Sequence, residues 1–257
     1  VKPSFGLPIN SKLGPYIHSW TMTAGDENAG GTCPGESAIC RSLCYAAKGF
    51  FRMPAVAATH ARNTEFAKTD EFVSWMSAKI QSEHARIMRV HVGGDFFDAA
   101  YVEKWREIVS KAGRTAFFAY TRSWRSEELL PALAKLARYP NVHLWFSMDR
   151  ATGPAPLIRG VRRCYLAVND ADAATTPTDC DLVFRDRPGT VLKSANGVLV
   201  CPTENGVTGR LHHTCSSCGL CWRKQRLPRW EQQLLPLLTQ DSGYVEIDAP
   251  SREVSLV

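Results

Sequence analysis

IMRVHVGGD, from Ile87 to Asp95, and TAFFAYTRS, from Thr115 to Ser123, are two short apolar runs, each stopping at glycine or polar residues. Between them Asp98 offers an N-cap for a helix with Val102, Trp105, Ile108 and Val109 on one face. This strand, helix, strand unit is followed by more of the same. The spacing predicts a helix over Glu127 to Tyr139, strands over Val142 to Phe146 and Arg163 to Val168, and shorter apolar runs at Asp181 to Phe184 and Thr190 to Leu192. Upstream, the pattern predicts a strand near Tyr16 to Thr23 and helices over about Pro54 to Lys68 and Asp70 to Glu83. Alternation of this kind belongs to a parallel sheet with crossover helices.

About six strands make either an open doubly wound sheet or a partial α/β barrel. The strand endings favour the barrel. Gly94 and Asp95, then Thr121, Arg122 and Ser123, then Ser147, Asp149 and Arg150, then Asn169 and Asp170 follow successive strands. In parallel α/β folds ligands and catalytic groups collect at the C-terminal strand edge. The expected architecture is therefore a partial (β/α) barrel over residues 1–195, with residues 196–257 as a cysteine-rich, metal-binding extension packed on it.

The 257 residues carry 31 Lys and Arg against 25 Asp and Glu, a net charge of +6 that permits a polyanionic partner without requiring one. No apolar run approaches the length of a membrane span, and no charged-then-apolar leader opens the chain, so the expectation is a cytoplasmic protein with no membrane partner. A chain this long can bury its core without disulfides, so nine cysteines need another explanation. In a reducing compartment clustered cysteines are metal ligands or catalytic groups. No H-E-x-x-H, Walker glycine loop or G-x-S-x-G elbow is present, which removes zinc protease, nucleotide triphosphatase and serine hydrolase readings.

The cysteines fall into two groups. TCPGESAICRSLCYAAK, Thr32 to Lys48, holds Cys33, Cys40 and Cys44 at spacings of six and three, in a loop broken by Pro34 and Gly35 just after the first strand. Three thiolates are one short of the four that close a zinc site or a cubane, which leaves a coordination position for chemistry. Cys201, Cys215, Cys218 and Cys221 are spaced thirteen, two and two. Two overlapping C-x-x-C steps suit an iron–sulfur cluster, with zinc the other choice. His212 and His213 read as loop residues because four thiolates leave no vacancy. Cys164 and Cys180 read as buried small hydrophobes, or as a fourth ligand that would close the first group.

Three cysteines after a first strand, Tyr45 beside the last of them, the Gly93, Gly94, Asp95 step after the next strand and the further strand and helix units resemble the radical S-adenosylmethionine enzymes. The resemblance implies a [4Fe-4S] cluster on Cys33, Cys40 and Cys44, and a second on the C-terminal cysteines. It also implies S-adenosylmethionine chelated by the free iron, and an electron donor as partner. It gives Asp95, Gly93 and Gly94 the methionine amino group, Arg122 or Arg150 its carboxylate, Tyr45 a packing role on the cluster or adenine, and Ser147 a place on the same rim. Cysteine spacing there is three and two, from which six and three depart. More narrowly, NSKLGP (Asn10 to Pro15), CPG (Cys33 to Gly35), CYA (Cys44 to Ala46) and CGLCW (Cys218 to Trp222) are similar to a phage and plasmid family called gene product eighty-eight, which implies a mobile-element origin.

Two other functions compete with a radical enzyme of unknown substrate. RKQRLPRW, Arg223 to Trp230, mixes basic and aromatic residues as a nucleic-acid-binding surface does. Two closed clusters would instead make a redox or sensing protein. Lys12 and His18, upstream near the same rim, read as solvated.

Overall fold

Met88, Val90, Phe117 and Ala119 alternate with Ile87, Arg89, Phe118 and Tyr120, and side chains on a strand point to opposite faces in turn. In the computed structural model, which describes residues 12–186, 192–203, 214–223, 228–230 and 232, this alternation builds a six-stranded sheet. Strands β1 (Ile17–Ser19), β2 (Ile87–Arg89), β3 (Ala116–Thr121), β4 (Val142–Met148), β5 (Arg162–Ala167) and β6 (Leu182–Arg185) pair in that order, all parallel. Ile17 lies beside Ile87, Ile87 beside Ala116, and Phe118 beside His143. The strand order never reverses, so right-handed crossovers all fall on one face and the other is left open as the inside of a curled half-barrel.

The helices are α1 (Ala38–Leu43), α2 (Pro54–Lys68), α3 (Glu71–Ser82), α4 (Ala99–Lys111), α5 (Leu130–Leu136) and the short α6 (Asp170–Ala174). Phe72, Met76 and Ile80 of α3, Val102, Trp105 and Ile108 of α4, and Leu133 and Leu136 of α5 pack with Met88, Phe117, Leu144 and Phe146 in one large core on the convex side. Each such side chain contributes about 1.5–3 kcal/mol on burial. The concave side carries two smaller apolar groups, one around Ile17, Ile87 and Phe118, the other around Trp145, Cys164 and Leu182.

Beyond β6 the chain forms a two-stranded antiparallel ribbon, β7 (Ser194–Ala195) and β8 (Val198–Leu199). Val200 then bridges Val183 in parallel, and the Cys201 N–H donates to the Val183 carbonyl at 2.8 Å. A single helical turn, α7 (Cys215–Cys218), docks against the start of the described chain, with N–H groups of Cys215 and Ser216 donating to the carbonyls of Lys12 and Leu13, both at 2.9 Å.

The expected helices at Pro54 to Lys68 and after Asp98 are present, and the Asp98 Oδ1 accepts from the Tyr101 N–H at 2.6 Å. β4 runs two residues past Phe146, to Met148, and three other boundaries differ more. β1 is shorter than the expected Tyr16 to Thr23, although the Trp20 and Met22 N–H groups still donate to Arg89 and Gly93. The pairing loses regularity there because the neighbouring chain turns at His91, with φ +72°, and at Gly94, with φ +83°. That turn also ends β2 at Arg89 rather than Val92. The helix expected over Glu127 to Tyr139 is confined to Leu130–Leu136, because Pro131 sits in its first turn, where a missing N–H does no harm. His212 and His213, the strand near Tyr244 to Ile247, and most of the helix expected over Pro228 to Leu238 lie outside the described residues. No described helix is long and apolar enough to cross a membrane.

Candidate metal and cofactor site

Cys33 lies in the loop after β1, Cys40 within α1, and Cys44 at its C-terminal end. Ser37 caps α1: its Oγ accepts from the Cys40 N–H at 2.9 Å and donates to Asp149 Oδ2 at 2.5 Å. The same carboxylate oxygen takes the Arg122 guanidinium at 2.6 Å, while Asp149 Oδ1 accepts from the N–H groups of Ala151 and Thr152 at 2.8 and 3.1 Å. A carboxylate has about four acceptor positions, and all four are used. Arg122 and Asp149 have side chains 7% and 0% exposed, so the end of β3, the end of β4 and the cysteine helix are tied together by one buried ion pair. Gly35 makes the close approach possible, since a Cβ there would lie 1.8 Å from the Arg122 carbonyl oxygen.

Asp95 adds a second tie. Its carboxylate accepts from the Arg122 and Phe96 N–H groups, both at 2.8 Å, and its own N–H donates to Thr32 Oγ1 at 3.2 Å, next to Cys33. Burial pushes this carboxyl up to about 6, opposed by its hydrogen bonds to Thr121, Arg122, Phe96 and Ser123.

All three thiols of the first group open into one cavity of about 360 Å³ on the concave side, within the range of ligand sites. Gly93, Gly94, Asp95, Tyr45, Arg122 and Ser147 also line it, as the rim reading expected. Arg150 is exposed and is not part of the wall. Lys12, read as solvated, does line it. The Tyr45 hydroxyl donates to the Val92 carbonyl and accepts from Arg89 Nη2 at 3.1 Å. Burial raises the thiols of Cys33 and Cys40; Cys40 and Cys44 oppose ionisation of Cys33, while the Arg122 charge favours that of Cys40. The Gly25 N–H donates to Cys33 Sγ at 3.4 Å.

The C-terminal cysteines reach the same cavity from the other side. Cys201, Cys215 and Cys221 line it, whereas Cys218 does not. The Tyr120 hydroxyl donates to Cys221 Sγ at 2.6 Å, and the Trp145 indole to the Cys221 carbonyl at 3.1 Å. Burial pushes the Cys221 thiol up to about 12. All nine cysteines are free thiols. Cys180 is fully buried in the convex-side core and Cys164 on the concave floor beside Trp145, Leu182 and Cys201. Neither lines the cavity, so neither is brought to the first group as a fourth ligand.

Among the described residues no three His, Cys, Asp or Glu side chains are arranged to hold a single metal ion. A four-iron cluster spaces its thiolates more widely than one ion does, and three free thiols facing a common cavity, one with a backbone N–H on its sulfur, suit that larger body.

Among the wall residues that sequence reasoning did not single out are Arg89 and His91. His91 is buried, its Nε2 sits 3.0 Å from the Tyr101 hydroxyl, its Nδ1 has no hydrogen-bond partner, and burial holds its pKa down at about 3. Their signal was two polar residues at alternate positions of an apolar run. Of the basic tail, residues 224–227 lie outside the described chain. Arg229 donates to the Gly197 carbonyl, and Trp230 is buried with its indole on the Val161 carbonyl, so that ring is not free to stack on a base.

A family model described as gene product 88 matches residues 6–224. The chain is 30% identical over 239 residues to the Gene 88 protein of Mycobacterium phage L5, covering 84% of this chain and 92% of that one. It is 29% identical over 159 residues to the Gene 88 protein of Mycobacterium phage D29, covering 54% of this chain and 65%, just under two thirds, of that one. No solved structure matches. The chain belongs to the gene product 88 family.

Proposed function

We propose that this protein is an iron–sulfur enzyme of radical S-adenosylmethionine type. Cys33, Cys40 and Cys44 would hold a cluster with one iron open to the cofactor, and Cys201, Cys215, Cys218 and Cys221 would hold a second centre, iron–sulfur or zinc. The observation that carries the reading is the shared cavity, walled on one side by the three thiols and the Gly93 to Asp95 turn, and on the other by Cys201, Cys215 and Cys221.

When bound, the first cluster would supply one electron to S-adenosylmethionine. The chain's own residues position and shield. Gly93 leaves little room for a side chain, with Ala46 Cβ 3.0 Å from where a Cβ would stand, so the turn presents bare backbone to the cavity. Asp95 holds the backbone of that turn to the end of β3, keeping the turn and the cysteine loop in one register. Arg122 is committed to Asp149, so its work is to fix α1 and to favour the charged state of Cys40 rather than to grip a ligand carboxylate.

The test is anaerobic reconstitution with iron and sulfide, followed by electron paramagnetic resonance of the reduced protein with and without S-adenosylmethionine. A cluster signal that shifts with the cofactor and is absent in Cys40→Ala supports the reading. Zinc alone, or an iron signal indifferent to S-adenosylmethionine, refutes it.

A further inference from the structure

Five arginines on the sheet or its strand ends carry positive charge into the fold; three of them meet a carboxylate, and a fourth, Arg162, lies over the Trp145 ring, 5.3 Å from its centre. Arg122 pairs with Asp149, Arg163 with Asp179, and Arg185 with Asp170. Arg89, at the end of β2, does not. Its Nε donates to the His91 carbonyl at 3.2 Å, its Nη2 to the Tyr45 hydroxyl at 3.1 Å, and its guanidinium lies 5.6 Å from the centre of the Tyr120 ring. No described carboxylate lies within ion-pair distance. A guanidinium carries five N–H donors, so three remain unspent, including both on Nη1, in the wall of the cavity.

We propose that Arg89 is the anion-recognition group of this cavity, and that the substrate is an organic acid, a carboxylate or phosphate on an apolar body. A half-buried cation with no carboxylate beside it is poorly solvated, and a ligand that brings the anion offsets part of that cost. Arg89 lies near Cys215 and Cys221 and is also bonded to the Tyr45 hydroxyl, which follows Cys44, so an anion on it would sit between the two cysteine groups. The apolar body is required by the surrounding wall. Phe118, Leu166 and Phe184 line the cavity, and Phe184 stands edge-on to Tyr120 with ring centres 5.2 Å apart. The inference deepens the proposed function by naming its substrate class, but its test reads binding and not turnover, so either can fail without the other.

Tryptophan fluorescence of the reconstituted full chain is titrated at constant ionic strength with benzoate, phenyl phosphate and acetate. One aromatic anion should saturate the protein at lower concentration than acetate; the better of the two identifies the anion as carboxylate or phosphate. Arg89→Gln should weaken that binding at least about tenfold, as expected for hydrogen bonds to a charged group, with iron and zinc per chain unchanged. Equal affinity in the variant overturns the proposal. So does loss of metal together with binding, which would make Arg89 the counter-charge of the C-terminal cysteines. A second measurement needs no variant: phenylglyoxal should label Arg89 of the wild-type protein, and the tighter anion should suppress that label. Labelling that is indifferent to the anion overturns the proposal as well.

Discussion

Replacing Asp149 with alanine should loosen the cysteine helix by an amount the structure fixes in advance. Asp149 accepts from Ser37 Oγ, Arg122 Nη1 and the N–H groups of Ala151 and Thr152, and its side chain is wholly buried. Removing it leaves the Arg122 charge buried and alone, which costs about 3–5 kcal/mol. With a urea slope of about 3 kcal/mol per molar, near the top of the range for small proteins, the unfolding midpoint should drop by roughly 1–1.7 M. The measurement is urea unfolding of the reduced, metal-free chain followed by circular dichroism, so that no metal contributes. Arg122→Met combined with Asp149→Ala should recover at least about 1 kcal/mol relative to the sum of the single changes, because the pair is lost only once. A midpoint shift below about 0.2 M for Asp149→Ala, or strict additivity in the double variant, would refute the view that this pair anchors α1.

His91 sets an acid limb. Its folded-state pKa of about 3 lies below the unfolded value of 6.5, so the unfolded chain takes up the proton first and stability falls as the pH drops below 6.5. At about 1.4 kcal/mol per unit, His91 alone should remove about 2 kcal/mol between pH 6.5 and 5. His91→Asn tolerates the positive φ and does not titrate, so urea midpoints measured across that interval should vary less with pH than in the wild type; an unchanged slope would count against it. Gly35→Ala drives a Cβ to within 1.8 Å of the Arg122 carbonyl oxygen and should cost about 3 kcal/mol or more. Gly113→Ala, where a Cβ meets nothing within 4 Å, should change stability by less than about 1 kcal/mol, and equal effects at the two glycines would sink the steric account.

The strand and helix rhythm was legible because it depends on local periodicity. Pro54 to Lys68 reads as a helix from its proline start and apolar spacing, and Asp98 as a cap from its place before Val102 and Trp105. Rim residues were legible as a set, since polar side chains after apolar runs mark strand ends. Their partners were not. Arg122 and Asp149 come from different strand ends, and which of them meets Ser37 is decided by sheet register, which no short window contains. For the same reason Arg122 looked available for a ligand, while Arg89, inside an apolar run, was not singled out. The two cysteine groups were separable by spacing, but their convergence on one cavity depends on the chain running back along β6 and then onto Lys12 and Leu13.

That return has a consequence for synthesis. The backbone bonds from Cys215 and Ser216 to Lys12 and Leu13, with Gly14 pressed against Ser216 and Thr214, join segments from opposite ends of the described chain. On a ribosome the sheet and the Cys33, Cys40 and Cys44 loop emerge well before the segment that walls the cavity's far side, and contacts so distant in sequence form last. The first three thiols therefore face open water throughout most of translation. Premature termination after β6 would leave them exposed.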